Sequence, residues 1–361
     1  MKGTARQRVR EMPKNTTAAI LVKQNDALVV DRVELPENLG VGQVLVEFDY
    51  SGLCGSQLGE IQGTKGFDPW LPHLLGHEGV GSVLKVGPGV TRFIPGDRVV
   101  AHWLPTAGIS SECPRYAWKS RQVNAGLVTT FNRHGVISEN RLTILPDWIP
   151  NELGPLFGCA LPTAFGTVEN IANVRIGSSV LIMGVGGVGL NMIQACQLRG
   201  AKDIIVFDLI DSRLSLASKL GATLCINTTC GDSFAAVNNA LGGRSLDCII
   251  DNTGNTSLIE AAFKAVDSRG RVVLVGVPRH DHDVCIHSLD LHFGKTIVGT
   301  AGGEFKPEDD FSRLFSVAEV MRDSLKALVT EVASLKEIND LIYFLKSGVS
   351  SGRCLIDLRN S

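Results

Sequence analysis

A predicted strand, a glycine-rich turn and a predicted helix follow one another between residues 178 and 199, and this unit constrains the fold most strongly. The strand is SSVLIM, the turn GVGGVG begins at Gly184, and the helix extends from Val188 to Arg199. Further predicted strands follow, namely DIIVFD, ATLCIN, SLDCIID and GRVVLVGV. Predicted helices such as SRLSLASKL and SLIEAAFKAV lie between them. Strands that alternate with helices of about a dozen residues predict a parallel, doubly wound α/β sheet.

The glycine turn has the spacing that binds the pyrophosphate of a dinucleotide. Its four glycines are Gly184, Gly186, Gly187 and Gly189. In this motif the first glycine makes the tight turn, the second admits the pyrophosphate, and the third lets the helix pack on the strand. Unpaired N–H groups at the start of the helix then face the phosphates. A glycine-rich turn without a ligand is the alternative interpretation.

An aspartate at the end of the next strand predicts which dinucleotide binds. Asp208 closes DIIVFD, where a carboxylate meets the adenosine ribose diol in this motif. A carboxylate accepts hydrogen bonds from two hydroxyls but repels a 2′-phosphate, so we predict NAD rather than NADP. Arg213 is placed to reach the same ribose.

The rest of the chain predicts a second, β-rich domain. Before residue 160, short apolar runs alternate with glycine and proline, and the last 60 residues contain the predicted helices FSRLFSVAEVMRD and EINDLIYFLKSG. Many short strands separated by turn residues are typical of a small β domain. We therefore expect a catalytic domain at residues 1–160, a nucleotide-binding domain at 161–300, and a return to the catalytic domain at 301–361.

Composition and charge exclude several classes of protein. The formal net charge is −2, so the chain has no global electrostatic reason to bind nucleic acid or anionic lipid. Residues 176–198 carry no charge, but their glycines indicate a strand, a turn and a helix rather than a membrane span. The basic N-terminus has no apolar segment after it and is not a secretory signal. Nine cysteines, an odd number, indicate a reducing cytoplasm and free or metal-bound thiols.

Three residues are candidate metal ligands. Cys54 lies in SGLCGSQ, His77 in GHEGVG and Cys159 in GCALPTAFG. Singly, each is more typical of a small core residue or a hydrogen-bonded histidine. Together, two thiolates and an imidazole are the ligand set of an open catalytic zinc site, which keeps a fourth position for water or substrate.

The order of these motifs along the chain resembles the zinc-dependent medium-chain alcohol dehydrogenases. GLCGS, GHEGVG, GCALPTAFG and GVGGVG follow one another, and the similarity extends to SGRCLIDL near the C-terminus. The resemblance implies a GroES-like β-barrel catalytic domain, formed by both ends of the chain, around an inserted Rossmann domain. It also implies that Cys54, His77 and Cys159 hold catalytic zinc and that Glu78 can approach the metal.

The same resemblance implies roles for other residues. Ser56 would take the substrate proton, Thr163 and Val188 would position the nicotinamide, and Arg353 would meet the pyrophosphate. Bulky side chains that line the substrate pocket in the family fall at Trp103 and Phe131. The polyol dehydrogenases usually have a glutamate where this chain has Cys159, so the site resembles the alcohol dehydrogenases more closely.

The chain departs from the family pattern at several positions. Between residues 97 and 141 it has only Cys113, where members with a structural zinc have four cysteines, so we expect one zinc per chain. The segment 103–130 replaces that zinc lobe. Gln57 occupies the place of the aspartate that usually orients the zinc-bound histidine, and Gly59 that of a proton-relaying histidine. We interpret the cluster of His280, His282, Cys285 and His287 as a solvated loop.

These features predict an NAD- and zinc-dependent enzyme that interconverts an alcohol with an aldehyde or ketone. Alternatives are a sugar or polyol dehydrogenase of a biosynthetic pathway, a zinc-free quinone or enone reductase, and a non-catalytic NAD-binding relative. The expected partner is a small alcohol or sugar-like substrate, with neither nucleic acid nor membrane. Because the family pairs through edge strands of the nucleotide domain, we expect a homodimer or homotetramer.

Overall fold

The computed structural model describes residues 12–64, 66–280, 282–348 and 350–361. Strands and helices are numbered in chain order. Five short strands close into a small barrel: β1 (Asn15–Leu21), β2 (Val29–Glu34), β4 (His73–Leu74), β7 (Arg115–Trp118) and β8 (Arg121–Asn124). Their order around the barrel is β1–β2–β7–β8–β4. Two of the pairings that close it are short, since β2 meets β7 at Glu34 and Ala117, and β4 meets β8 at His73 and Asn124.

A second sheet joins the two ends of the chain. Its strands are β3 (Gln43–Leu53), β5 (Gly79–Val86), β6 (Arg98–Ala101), β9 (His134–Ser138), β10 (Leu142–Ile144), β17 (Val329–Ser334) and β18 (Arg353–Asp357). The order is β10–β6–β5–β3–β18–β17, and β9 also pairs with β3. Because β18 pairs antiparallel with β3, with Cys354 opposite Leu53, the C-terminal strand lies beside the strand that leads to Cys54.

The third sheet is wholly parallel and lies between two helical layers. Its strands are β11 (Ser179–Met183), β12 (Asp203–Asp208), β13 (Leu224–Asn227), β14 (Cys248–Asp251), β15 (Arg271–Leu274) and β16 (Thr296–Gly299), in the order β13–β12–β11–β14–β15–β16. All residues of β11 are buried. Val180 and Ile182 belong to one hydrophobic core, whereas Leu181 and Met183 belong to another, so both faces of the sheet are covered.

Helices connect these strands. They are α1 (Gly55–Gln62), α2 (Ala160–Gly166), α3 (Gly187–Leu198), α4 (Asp211–Lys219), α5 (Ser233–Leu241), α6 (Thr256–Ala265), α7 (Leu289–His292), α8 (Pro307–Val320), α9 (Arg322–Leu328) and α10 (Ile338–Lys346). Short 3-10 or π-helical turns occupy Glu139–Arg141, Asn151–Gly158, Thr167–Ile171, Gly302–Glu304 and Leu335–Glu337. None of the helices described combines the length and the apolar composition that crossing a bilayer requires.

The predicted fold class is confirmed, and one predicted helix is divided. The parallel sheet, the barrel and the return of β18 to β3 are the architecture expected from the sequence. The segment FSRLFSVAEVMRD was predicted as one helix, but α8 ends at Val320 and α9 begins at Arg322. Met321 between them is buried, and so are Leu325 and Leu328, which join the same core as Phe311. The bend therefore turns a second apolar face towards that core.

Candidate active site and metal centre

The three candidate metal ligands come from different elements and meet at one point. Cys54 lies between β3 and α1, His77 shortly before β5, and Cys159 directly before α2. Each therefore follows or precedes a regular element whose hydrogen bonds fix the local backbone. The two sulfurs are 4.0 Å apart, and the possible ligand atoms of the three residues all lie within 4.8 Å of one another.

This donor set fits one zinc ion. Two sulfurs at about 2.3 Å from a tetrahedral zinc stand roughly 3.8 Å apart, which agrees with the 4.0 Å observed between Cys54 and Cys159. Neither cysteine forms a disulfide. Two thiols and one imidazole leave a fourth coordination position, which is the arrangement of catalytic rather than structural zinc sites.

The pKa values of the two thiols are shifted in opposite directions. A hydrogen bond with the Cys159 thiol lowers the pKa of Cys54 well below its ordinary value, despite burial. The same contact and burial raise the pKa of Cys159. Cys54 also caps the N-terminus of α1, where partial positive charge favours a thiolate. One sulfur of the pair is thus already prepared for a cation.

Gln57 lies between Cys54 and His77. Its Oε1 accepts a hydrogen bond from the backbone N–H of Cys54 at 3.2 Å, and its Nε2 contacts Nδ1 of His77. Nδ1 is therefore occupied, and Nε2 of His77 is the ring nitrogen left for the metal. Among the residues that the structure describes, none forms a hydrogen bond with this buried Nε2.

A buried ion pair connects the metal-ligand segment with the glycine turn. Nη2 of Arg353 donates to Oε1 of Glu78, the residue after His77. Burial raises the pKa of Glu78, and the charge of Arg353 opposes that shift. A Cβ atom on Gly187 would collide with Cδ of Arg353. The arginine therefore lies directly against the turn predicted to bind pyrophosphate.

The glycine turn has the backbone that the dinucleotide motif requires. Gly184 has φ +85°, which L side chains rarely adopt. A Cβ on Gly189 would collide with the carbonyl oxygen of Gly184, whereas one on Gly186 would meet no atom within 4 Å. Gly189 thus permits close packing of α3 on β11, and the space beside Gly186 is open on the side where a phosphate binds in such turns.

The predicted ribose-binding aspartate is held by the backbone around the turn. Oδ2 of Asp208 accepts from Val185 N–H at 2.9 Å, and Oδ1 accepts from the N–H groups of Leu209 at 2.8 Å and Ile210 at 3.1 Å. Nη1 of Arg213 is 4.0 Å from Oδ1 of Asp208, and its Nε donates to the carbonyl of Ser350 at 3.3 Å. Asp208 and Arg213 are therefore together at the end of β12.

The other predicted site residues differ in their exposure. Ser56 is exposed in the first turn of α1, and Val188 is half-buried at the start of α3. Thr163 is 6% exposed on α2. Its Oγ1 hydroxyl is among the buried polar atoms without a hydrogen-bond partner in the described structure. Trp103 is half-buried and contacts Gly302, since a Cβ there would lie 2.8 Å from its ring.

Phe131, which is expected to line the substrate pocket, is almost wholly enclosed. Its side chain is 1% exposed and belongs to a hydrophobic core shared with strands β3, β5, β6 and β18. The physical reason is the backbone around it, because Phe131 O accepts from Ala19 N–H at 2.9 Å and Phe131 N–H donates to Leu75 O at 3.0 Å. Its ring also contacts Gly76, next to His77. Phe131 thus packs beneath the His77 segment rather than at an open pocket wall.

Sequence reasoning missed two residues beside the glycine turn. Nδ2 of Asn252 donates to the carbonyl of Gly184 at 3.3 Å, and its Oδ1 is buried without a partner among the described residues. Asp251, fully buried before it, accepts from the N–H groups of Thr253 and Gly254. Both lie at the carboxyl end of β14, next to β11, and polar residues after a buried strand at this edge are the signal that could have identified them.

No second metal cluster is found in the described part of the chain. Among the described residues, the His, Cys, Asp and Glu side chains that converge closely enough to share a metal ion are Cys54, His77 and Cys159. Cys113 is exposed, as are His280, His282, Cys285 and His287. His287 has a carboxylate neighbour, with Nδ1 4.0 Å from Asp290.

Comparisons with known proteins identify the family. The profile of the alcohol dehydrogenase GroES-like domain matches residues 40–147, and that of the zinc-binding dehydrogenases matches residues 187–319. The protein named "Putative alcohol dehydrogenase D" from Mycobacterium tuberculosis is 30% identical over 92% of this chain and 97% of its own length. The NDMA-dependent alcohol dehydrogenase of Amycolatopsis methanolica is 28% identical over 92% of this chain and 96% of its own.

A solved structure agrees with these matches. The crystal structure of benzyl alcohol dehydrogenase from Acinetobacter calcoaceticus superposes with a TM-score of 0.85 at 26% identity, covering 96% of this chain and 99% of that one. The similarity thus includes the barrel, the parallel sheet and the segments that carry all three ligands. This chain belongs to the zinc-binding alcohol dehydrogenase family of medium-chain oxidoreductases.

Proposed function

We propose that this protein is an NAD-linked alcohol dehydrogenase that reversibly converts an alcohol into an aldehyde or ketone. One observation carries the proposal: a continuous set of contacts links the Cys54–His77–Cys159 cluster, through Glu78 and Arg353, to Gly187 of the glycine turn. A metal-binding site and a dinucleotide-binding turn in direct connection are what hydride transfer from an alcohol requires.

Zinc bound by Cys54, His77 and Cys159 supplies a Lewis acid that favours loss of the substrate hydroxyl proton near neutral pH. Ser56, exposed in the first turn of α1 two residues after Cys54, is our candidate to receive that proton. Position 59 is glycine, so no side chain there relays the proton farther. We therefore propose that the proton passes towards solvent from Ser56 itself, whose side chain is exposed.

The remaining residues hold the cofactor and the substrate. NAD supplies the nicotinamide ring that accepts hydride. Gly184, Gly186, Gly187 and Gly189 would bind its pyrophosphate together with Arg353, and Asp208 and Arg213 its adenosine ribose. Thr163 and Val188 would position the ring, an assignment supported by the free Oγ1 of Thr163. For the substrate pocket we propose Ser56, Trp103 and Phe131, the last of which is enclosed but lies against Gly76, next to His77.

We propose one zinc per chain, bound in the catalytic cluster. This is supported by the single ligand cluster in the described ranges and by the exposure of Cys113 in the segment 103–130. We also propose the domain division 1–160, 161–300 and 301–361, which the pairing of β18 with β3 supports. Nine free thiols support a cytoplasmic protein, and the edge strand β16 supports a homodimer or homotetramer.

Substitution of the ligands tests the function. Cys54→Ser and His77→Ala should each abolish bound zinc and alcohol-dependent NADH formation, while NAD still quenches the protein's tryptophan fluorescence. Cys113→Ser, a change of the same kind at an exposed thiol, should keep zinc and turnover. Full turnover by either ligand variant without metal would refute the proposal. A panel of alcohols, polyols and sugar derivatives then separates an alcohol from a polyol dehydrogenase.

A further inference from the structure

Gln57 has one acceptor oxygen for two neighbouring groups, whereas a carboxylate at the same position would have two. Its side chain is 1% exposed. It has two neighbours, the backbone N–H of Cys54 and Nδ1 of His77. A glutamine amide has one acceptor oxygen and one NH₂ donor group, whereas a carboxylate has two acceptor oxygens. The two neighbours therefore compete for a single oxygen whenever both are donors.

In this structure the oxygen is used by Cys54. The backbone N–H of Cys54 can only donate, and Oε1 of Gln57 accepts from it at 3.2 Å. The NH₂ group of Gln57 consequently faces His77, and Nδ1 of His77 must accept. In a neutral imidazole whose Nδ1 accepts, the ring proton is on Nε2, the nitrogen that faces the two thiols.

Metal binding requires the opposite tautomer. A ligating Nε2 carries no proton, so the neutral ring carries its proton on Nδ1, and that N–H needs an acceptor. Among the residues that the structure describes, the candidate in direct contact is Gln57. Its single oxygen then serves His77, and the N–H of Cys54 at the start of α1 loses its partner.

We propose that Gln57 is a positioning residue that exchanges hydrogen-bond partners when zinc binds. In the metal-free protein its oxygen holds Cys54 and its NH₂ group holds His77 in the tautomer that opposes coordination. In the zinc-bound protein the amide turns, its oxygen accepts from His77 Nδ1–H, and Cys54 N–H is released. The proton balance closes within the ring, since Nε2 gives up one proton and Nδ1 gains one. This inference rests on the zinc site proposed above.

The exchange makes zinc binding weaker than it would be with a carboxylate at position 57. Part of the free energy of coordination goes into changing the tautomer and breaking the hydrogen bond to Cys54. A carboxylate would accept from both donors at once and would need no rearrangement. Partners in this outer position change metal affinity by about 10–100-fold. The chain therefore has a site that holds zinc less tightly, and releases it more readily, than a protein with a carboxylate at this position.

Zinc affinity tests the proposal without reference to turnover. The full chain, stripped of metal, is titrated with zinc in competition with a chromogenic chelator. Gln57→Glu should bind zinc about tenfold more tightly. Gln57→Leu, which removes the side-chain oxygen proposed to accept from Nδ1–H, should bind zinc more weakly. Gln62→Glu adds the same charge at the other end of α1 and should leave the affinity unchanged.

The tautomer of His77 provides a second measurement on the unmodified chain. In ¹⁵N NMR of histidine-labelled protein, the metal-free form should show a protonated Nε2 and an unprotonated Nδ1, and zinc should reverse the two. A protonated Nδ1 in the metal-free form would overturn the proposal, and so would Gln57→Glu that binds zinc no more tightly than the original chain. If the original chain binds no zinc at all, the proposed function itself fails and this inference with it.

Discussion

Arg353 donates a hydrogen bond to Glu78, and the two side chains are only 4% and 0% exposed. Glu78 follows the proposed metal ligand His77, and Arg353 lies against Gly187 of the glycine turn. Oε2 of Glu78 and Nε of Arg353 have no further partner among the described residues. The free carboxylate oxygen of Glu78 is thus available to a metal, and the free nitrogen of Arg353 is available to a phosphate. The pair therefore links the two halves of the proposed site.

Replacing Arg353 alone should lower the free energy of unfolding more than replacing Arg353 and Glu78 together. Arg353→Met leaves a buried carboxylate without its counter-charge, and we expect a loss of about 3–5 kcal/mol in the free energy of unfolding. Arg353→Met combined with Glu78→Gln should recover most of that loss. Both variants should bind NAD more weakly, because the pyrophosphate loses its cation. Urea unfolding and NAD titration of the metal-free protein measure these effects.

Arg359→Met is the control for that experiment. Arg359 is also paired with a carboxylate, Asp357, but its side chain is 51% exposed. Exposed ion pairs contribute about 0–1 kcal/mol, so this variant should unfold and bind NAD like the original chain. A double variant no more stable than Arg353→Met would show that the buried charge of Glu78 is not the source of the loss.

Asp208 should determine the choice between NAD and NADP. Its carboxylate is fixed by three backbone N–H groups and is 8% exposed, so it cannot move away from a 2′-phosphate. We expect the original chain to prefer NAD. Asp208→Asn should reduce the ratio of kcat/KM for NAD to that for NADP by about tenfold or more, equivalent to about 1.4 kcal/mol.

Asp203→Asn provides the comparison, because it makes the same change at the other end of β12. Its cofactor preference should equal that of the original chain. Steady-state kinetics with both cofactors measures the ratios. A preference for NADP in the original chain would refute the role assigned to Asp208.

The nucleotide-binding half was predictable because one local motif determines it. The predicted helix from Val188 to Arg199 is α3, Gly187–Leu198 in the structure, and DIIVFD is β12. Steric demands of the turn act within a few residues, as the positive φ of Gly184 and the close approach of Gly189 show. Such demands are visible in the sequence itself.

The catalytic half was less predictable because its geometry depends on distant pairings. Composition and spacing left Cys54, His77 and Cys159 as separate candidates, and their convergence requires the pairing of β3 with β5 and the packing of α2. The burial of Phe131 was not predictable for the same reason, since it follows from backbone hydrogen bonds to Ala19 and Leu75. Asn252 lies beside Gly184 only because β14 pairs with β11.

A buried carboxylate should stabilise the segment 103–130. Glu139 is 1% exposed and accepts hydrogen bonds from the backbone N–H groups of Thr91 at 2.9 Å, Arg92 at 3.0 Å and Ile109 at 2.8 Å. It thereby ties residues 91–92 to the segment that contains Cys113. Glu139→Gln should lower the free energy of unfolding at pH 7 by about 1–3 kcal/mol, whereas exposed Glu112→Gln should not.

The pH dependence of that difference follows from the same hydrogen bonds. Burial alone would raise the pKa of Glu139, but the three N–H groups lower it below the ordinary value of 4.5. A carboxyl with a lowered pKa contributes stability above its unfolded pKa and loses it as the pH falls through its folded pKa. The difference between original and Glu139→Gln should therefore shrink below about pH 4.5. A difference independent of pH would contradict this account.

His102 should make the fold sensitive to moderate acid. It is 1% exposed, with Nδ1 2.7 Å from the carbonyl of Leu104 and Nε2 3.0 Å from Oγ1 of Thr143. Its ring also packs on Phe311 of α8, at 5.3 Å between centroids. Burial lowers the pKa of His102 from 6.5 to about 4. The folded protein thus keeps this imidazole neutral in a pH range where the unfolded chain protonates it.

Protonation of His102 in the unfolded chain should lower the free energy of unfolding in moderate acid. As the pH falls from 6.5 towards 4, the unfolded chain binds a proton that the folded chain excludes, so the free energy of unfolding decreases. The contribution of this one group over that interval is about 3 kcal/mol, at about 1.4 kcal/mol per pKa unit. His102→Gln cannot take up this proton and should show a correspondingly flatter decrease in urea unfolding between pH 7 and pH 4.5. An equal decrease in both proteins, or an NMR titration of His102 centred near pH 6.5, would refute the prediction.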